Sequence, residues 1–178
     1  METTLRYVSF HSSLGWLLVA ARPEKICMVL FAGPQEPSDD RAGQILRKEF
    51  PGADVERDPS SPLLAEARKA ISEYLTDGIP IPSLPLDTGR GTAFQRQVWE
   101  AIGEIPFGET RTYLDIARTV GRPSASRAVG GACGANPLPI VIPCHRVVGS
   151  GGKLGGYSGG ISIKETLLQM ETPRNGPS

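Results

Sequence analysis

Between residues 79 and 88 the chain carries three prolines, Pro80, Pro82 and Pro85. Each lacks a backbone donor and has a fixed φ, so neither a helix interior nor a central strand can run through the segment. It reads as an extended linker, and the composition changes across it. The 178 residues therefore divide near residue 88 into units 1–88 and 89–178. Hydrophobic residues make up 39%, enough for packed cores without disulfides or metals.

The first unit has an α/β pattern. Residues 5–10 and 15–20 are strand-like around a turn at His11-Ser12-Ser13, and the apolar, β-branched run 25–32 predicts a third, more buried strand. Helical spacing recurs over 39–50 and over 63–75, where Leu64, Ala67, Ile71 and Leu75 share a face and Asp77-Gly78 stops the helix. The second unit is mostly helical. Helices are predicted over 92–102 with Thr92 as cap, over 112–120, over 124–133 with Ser124 as N-cap, and over 162–170 from a Ser162-x-x-Glu165 capping box. The middle pair, joined by Gly121-Arg122-Pro123, fits a helix-turn-helix.

Three cysteines are scattered singly with no CxxC pattern, which argues against a disulfide framework or structural zinc and for a reducing compartment. Neither a leader-like start nor a run of membrane-spanning length is present, so the expected location is cytoplasmic. Formal net charge is zero, yet residues 1–89 hold 9 basic against 13 acidic residues, and residues 106–160 hold six basic against two acidic. A locally basic stretch suits phosphate binding.

The second helix of the pair contains Ala125, Ala128, Gly130, Gly131, Ala132 and Gly134. Each glycine costs about 1 kcal/mol of helix stability relative to alanine, so something should compensate. Either another helix packs closely there, or the surface approaches a nucleic-acid groove with Arg127 as its one long cation. A major-groove reader would carry more polar side chains, so the second alternative means sequence-neutral contact.

The segment Pro143-Cys144-His145-Arg146-Val147-Val148 lies between the apolar run 138–142 and the glycine-rich loop 149–160. An imidazole and a nearby cation are the usual means of activating a thiol, although Cys144 could equally be a buried structural cysteine beside a surface histidine. Glu171 falls on the apolar side of the last helix, four residues after Leu167. It is either a frayed, solvated helix end or a buried partner for His145, the unit's sole histidine, in a Cys144–His145–Glu171 relay.

These pieces together resemble the O6-alkylguanine-DNA alkyltransferases. The resemblance runs through Gly91-Thr92-Ala93-Phe94-Gln95-Arg96-Gln97-Val98-Trp99, Ile105-Pro106-Phe107-Gly108-Glu109-Thr110, Arg127-Ala128-Val129-Gly130-Gly131-Ala132, Asn136-Pro137, Pro143 to Val147, Gly156-Tyr157-Ser158-Gly159-Gly160, and Lys164-Glu165 to Glu171. Residues 1–88 resemble the family's N-terminal half more loosely. The resemblance implies a ribonuclease H-like α/β domain followed by a mostly α, winged-helix-like domain with a helix-turn-helix. It implies irreversible, single-turnover transfer of an alkyl group from O6-alkylguanine, and from O4-alkylthymine, in double-stranded DNA to Cys144.

His145 is then the base acting through water, Glu171 orients it, and Tyr113 protonates the departing guanine. Arg127 fills the gap left by the flipped base, and Asn136 ties the recognition helix to the active-site strand. Ser158 and Tyr157 border the pocket, and the carbonyls of Cys144 and Val147 read the guanine amino group. Thr112, Ala128 and Gly130 are further expected contacts to substrate or DNA. No cofactor, metal or membrane partner is implied, and a monomer is expected.

The chain departs from some members. With only Cys27 and His11 in its first half, it lacks the ligands of the zinc-holding members, and Gly134 stands where some carry a basic residue. Cys27 and Cys133 read as structural thiols. No second, regulatory half is evident, so repair alone is expected. The alternatives are a non-reactive lesion-binding module, in which the acceptor cysteine is replaced, and a thiol hydrolase, whose local signatures are absent.

Overall fold

The computed structural model describes residues 4–172 and separates into two compact units, Met1–Thr88 and Gly89–Ser178. In the first, β1 (Leu5–Ser12), β2 (Gly15–Arg22) and β3 (Lys25–Gly33) form an antiparallel meander, and β4 (Val55–Arg57) adds parallel to β1, giving the order β3-β2-β1-β4. The β1–β2 turn is tighter than the sequence implied. Pairing runs to Ser12↔Gly15, and Gly15 has φ +90° with the Gly33 carbonyl 2.8 Å from where a Cβ would lie. Only glycine fits that corner.

The interior strand β2 is buried from Leu17 to Ala21, on both of its faces. Helix α1 (Asp39–Glu49), capped by Ser38, packs Ala42 and Leu46 against Leu5, Tyr7, Leu18 and Ala20. Helix α2 (Pro62–Asp77) begins at the Ser61 cap with proline in its first turn and ends at Gly78 in the left-handed conformation (φ 68°). The short β4 was invisible to periodicity, since it has three residues and two of them are exposed charges. The proline-rich segment is extended as expected but is not a loose linker. Ile26 donates to the Pro85 carbonyl and accepts from the Asp87 amide, both at 2.8 Å, so Pro85 contributes only the group it retains.

The second unit is helical. Helix α3 (Ala93–Gly103) starts at a Thr92–Gln95 capping box. Helix α4 (Tyr113–Thr119) starts at a Thr112–Asp115 box, and α5 (Ser126–Gly134) follows. The last helix, α6 (Ile161–Glu171), follows the glycine-rich loop. Two expected caps are absent. Helix α5 begins after Ala125 without a side-chain cap, because Arg122-Pro123 disfavours helical backbone and a turn closes from the Ala125 amide to the Arg122 carbonyl. Helix α6 begins after Gly160 (φ 94°), which places Ser162 inside the helix. A two-residue parallel pair joins β5 (Arg111–Thr112) to β6 (Val147–Val148), an element that sequence reasoning missed. Among the described residues no helix is long and apolar enough to cross a membrane.

Trp99 on α3 locks α5 in place, its indole N–H donating to the Ala132 carbonyl at 2.8 Å. Gly91 lies against that indole, and a Cβ there would come within 2.3 Å of the ring. Gly91→Ala is expected to cost about 1–3 kcal/mol through overpacking. Urea unfolding measures it, and a loss below a few tenths of a kcal/mol contradicts the packing.

Candidate active site

Asn136, just beyond α5, is buried, and its side chain organises the segment that follows. Its amide nitrogen donates to the Ile142 carbonyl at 2.9 Å and to Cys144 Sγ at 3.1 Å, and its oxygen accepts from the Leu138 amide at 2.9 Å. Between them Ile140 adopts φ 74°, a strained conformation for a β-branched residue and the only non-glycine of its kind among the described residues. The segment delivers Cys144 to the first position of a 3₁₀ turn, Cys144–Arg146. The turn leads directly into β6 at Val147.

His145 and Glu171 are both almost wholly buried. His145 Nε2 lies 2.8 Å from Glu171 Oε1. The same oxygen accepts from Arg146 Nη2 at 2.9 Å, while Oε2 accepts from Arg146 Nε at 2.9 Å and from the Gly108 amide at 3.2 Å. Glu171 is thus the buried partner and not a frayed end. Arg146 is not a cation standing beside the thiol or open to phosphate. Its guanidinium is occupied by Glu171 and the Ile105 carbonyl.

The charge that acts on the thiol is Lys164, which the sequence reading left without a role. It is fully buried on α6, donates from Nζ to the Val147 carbonyl at 2.7 Å, and lies 5.9 Å from the centre of the Tyr113 ring. Its position one turn before the apolar Leu167 was the available signal. Burial pushes the Cys144 thiol above its ordinary range, opposed by the Asn136 hydrogen bond and the Lys164 charge. Burial likewise pushes His145 below its ordinary value, opposed by Glu171 and reinforced by Arg146 and Lys164. The thiol and the imidazole are therefore both held neutral at rest. Tyr113 is raised by burial and keeps its phenolic proton.

The remaining expected residues fall around this centre. Tyr113, Thr112, Arg127 and Gly130 line a cleft of about 360 Å³ together with Ser126 and Ser150. The Thr112 hydroxyl is committed to capping α4 through Asp115. Arg127 and Ala128 are exposed on α5. Tyr157 sets its ring edge-on to His145 at 6.4 Å, and Ser158 is exposed on the glycine-rich loop. Gly155 of that loop closes on Tyr113, whose hydroxyl lies 2.2 Å from where a Cβ would be. Val147 is buried, its amide donating to the Cys144 carbonyl. Cys133 is buried, with its thiol pushed up to about 12 by burial, and Cys27 donates to the Ala20 carbonyl. The α5 glycines are not explained by packing. A Cβ at Gly131 or Gly134 meets nothing within 4 Å, and one at Gly130 makes an ordinary contact with Tyr113.

The model of the 6-O-methylguanine DNA methyltransferase DNA-binding domain matches residues 93–173. A methylated-DNA–protein-cysteine methyltransferase of Methanosarcina acetivorans is 39% identical over 93% of this chain and 97% of its own length. The chain belongs to this methyltransferase family. The bifunctional transcriptional activator and DNA repair enzyme Ada of Escherichia coli is 43% identical over 94% of this chain, which spans 45% of that longer protein. Among solved structures, the O6-methylguanine methyltransferase of Mycobacterium tuberculosis superposes with a TM-score of 0.79 at 35% identity, covering 98% of this chain and 97% of that one. The same protein in complex with DNA gives 0.78 over 95% and 94%.

Within this candidate site, His145 is expected to titrate below 6.5, the ordinary value, because burial outweighs Glu171. Glu171→Gln removes the opposing influence and lowers the titration further. Imidazole NMR against pH checks both, and a wild-type midpoint above 6.5 contradicts them.

Proposed function

We propose that this protein repairs DNA by moving the alkyl group of O6-alkylguanine, and of O4-alkylthymine, onto its own Cys144, once per molecule. The observation that carries the reading is a buried cysteine held by Asn136, next to a histidine paired with a buried carboxylate, in a chain of this family. The first unit is assigned a ribonuclease H-like fold, supported by the β3-β2-β1-β4 order with β4 parallel to β1. The second is assigned as a winged-helix-like DNA-binding and alkyl-acceptor domain, acting as a monomer in the cytoplasm.

The chemistry follows from the resting protonation. Cys144 gives its proton toward His145 as the sulfur attacks the alkyl carbon, so that a thiolate and an imidazolium form together. Glu171 stabilises the imidazolium and Lys164 the thiolate, both buried and already in place. The new S–C bond forms as the C–O6 bond breaks, and its electron pair goes to the guanine. Tyr113 supplies the proton that the base needs on leaving. The proton taken up by His145 then returns to the Tyr113 phenolate by way of solvent, so the base departs with hydrogen in place of the alkyl group and atoms and charges balance without a co-reactant. The resulting thioether has no leaving group that water can displace under these conditions, and the molecule is spent.

To reach the sulfur, the base must leave the stack at a cost of a few kcal/mol, less for a pair already weakened by alkylation. Arg127, exposed beside the cleft that Tyr113 lines, fills the vacated space. The open surface over Gly131 and Gly134 lets the α5 backbone approach DNA without base-specific side chains. Cys144, Val147 and the loop bearing Tyr157 and Ser158 frame the flipped base.

Incubation with duplex DNA containing O6-methylguanine is expected to add one CH2 unit to the peptide bearing Cys144, with Cys27 and Cys133 unchanged. Cys144→Ser keeps DNA binding and loses transfer. Modification elsewhere, or none with Cys144 intact, overturns the assignment. Gly131→Ala is expected to raise stability by about 0.5–1 kcal/mol, the helix preference for alanine, while weakening duplex binding. Stability and affinity rising together contradict the groove-facing role.

A further inference from the structure

Arg146 follows the acceptor cysteine by two residues and sits in the basic half of the chain, yet its guanidinium is committed to partners within the protein. Its side chain is only 11% exposed. Nε and Nη2 form a fork on the two oxygens of Glu171, each at 2.9 Å, Nη1 donates to the Ile105 carbonyl, and the guanidinium lies 5.8 Å from the centre of the Phe107 ring. A planar guanidinium in this two-point arrangement recognises an ionised carboxylate, and a carboxylate so held can only accept. The atom of His145 facing Glu171 Oε1 is Nε2. It must therefore be the donor.

We propose that Arg146 is a positioning residue of the transfer reaction: by fixing Glu171 as a pure acceptor, it confines the His145 proton to Nε2 and leaves Nδ1 as the atom that takes the Cys144 proton. The inference rests on the transfer reading above and deepens it. In the step itself, the proton leaves Cys144 Sγ and arrives at Nδ1, directly or through water. The imidazole becomes imidazolium, and its Nε2–H stays on Glu171, which never receives a proton. A lysine at 146 preserves the charge but not the fork, because an ammonium is a point donor that cannot hold both oxygens in plane. Without the fork the carboxylate can rotate away from Nε2, and the imidazole is then free to sample the other tautomer, in which Nδ1 already carries hydrogen.

The charged and titratable groups around His145 are Glu171 and Lys164 from α6, Arg146 from its own turn and Tyr157 from the glycine-rich loop. Arg146 and Lys164 both depress its basicity, so removing the guanidinium shifts its titration upward.

Long-range 1H–15N spectra of the wild-type imidazole read the tautomer without any variant. The expected result is a protonated Nε2 and an unprotonated Nδ1 for His145. In Arg146→Lys the single-turnover rate is expected to fall about tenfold or more, a part of the roughly 10²–10⁴-fold that general-base catalysis contributes, with duplex affinity unchanged. In Arg146→Met the pH at half-maximal rate moves upward. A wild-type Nδ1–H tautomer overturns the proposal, as does a folded Arg146→Lys protein with wild-type rate and pH profile. If wild-type protein transfers no alkyl group at all, the transfer reading fails instead, and the two failures are distinguishable.

Discussion

A buried carboxylate at the end of α6 is the constraint around which the second unit is arranged. Glu171 is 3% exposed, and an unpaired charge there would cost several kcal/mol. Its oxygens are therefore met by donors from separate parts of the chain: the Gly108 amide from the turn after α3, Arg146 and His145 from the 3₁₀ turn. Satisfying one charge thus fixes the end of α6, the cysteine-bearing turn and the segment that leads into β5 and α4. Gly108 is held at φ 79°, with the Glu171 backbone carbonyl 3.0 Å from where a Cβ would lie. A side chain at that position would crowd the loop that meets the carboxylate.

Around this fixed point the site stores reactivity without storing charge. Burial favours the neutral thiol and the neutral imidazole, so the resting site is not a thiolate waiting for any electrophile. The charges that could stabilise the ion pair are already placed, with Lys164 among the buried groups near the sulfur and Glu171 on the imidazole. Such a preset environment lowers the cost of reaching the transition state, because little has to reorganise when the proton moves.

Much of this was legible in the sequence, and the exceptions have physical causes. Periodicity located the main helices, each of which buries one regular face, and apolar, strand-like runs located the three strands of the meander, of which β2 and β3 are buried over several consecutive residues. It missed β4 and the β5–β6 pair, which are too short for a period to develop. Glu171 was legible as a misplaced charge on an apolar stripe, a pattern that marks burial. Arg146 is next to the thiol and imidazole in sequence, but adjacency says nothing of where a long side chain goes, and its partner lies 25 residues away. Lys164 escaped because lysine is normally solvated, so its place one turn before the apolar Leu167 was not taken as a sign of burial. The glycines of α5 were legible as a cost without a cause. The coordinates removed internal packing as that cause at Gly131 and Gly134 and left an outer surface.

The central claim is that Cys144 is a reagent and not a catalyst. The direct measurement is a titration of limiting protein with excess duplex DNA carrying labelled O6-methylguanine, followed until transfer stops. The account predicts a plateau at one alkyl group per molecule, with no slow continuation. A count that keeps rising with time, or a plateau at zero while the Cys144 thiol remains free, would contradict it.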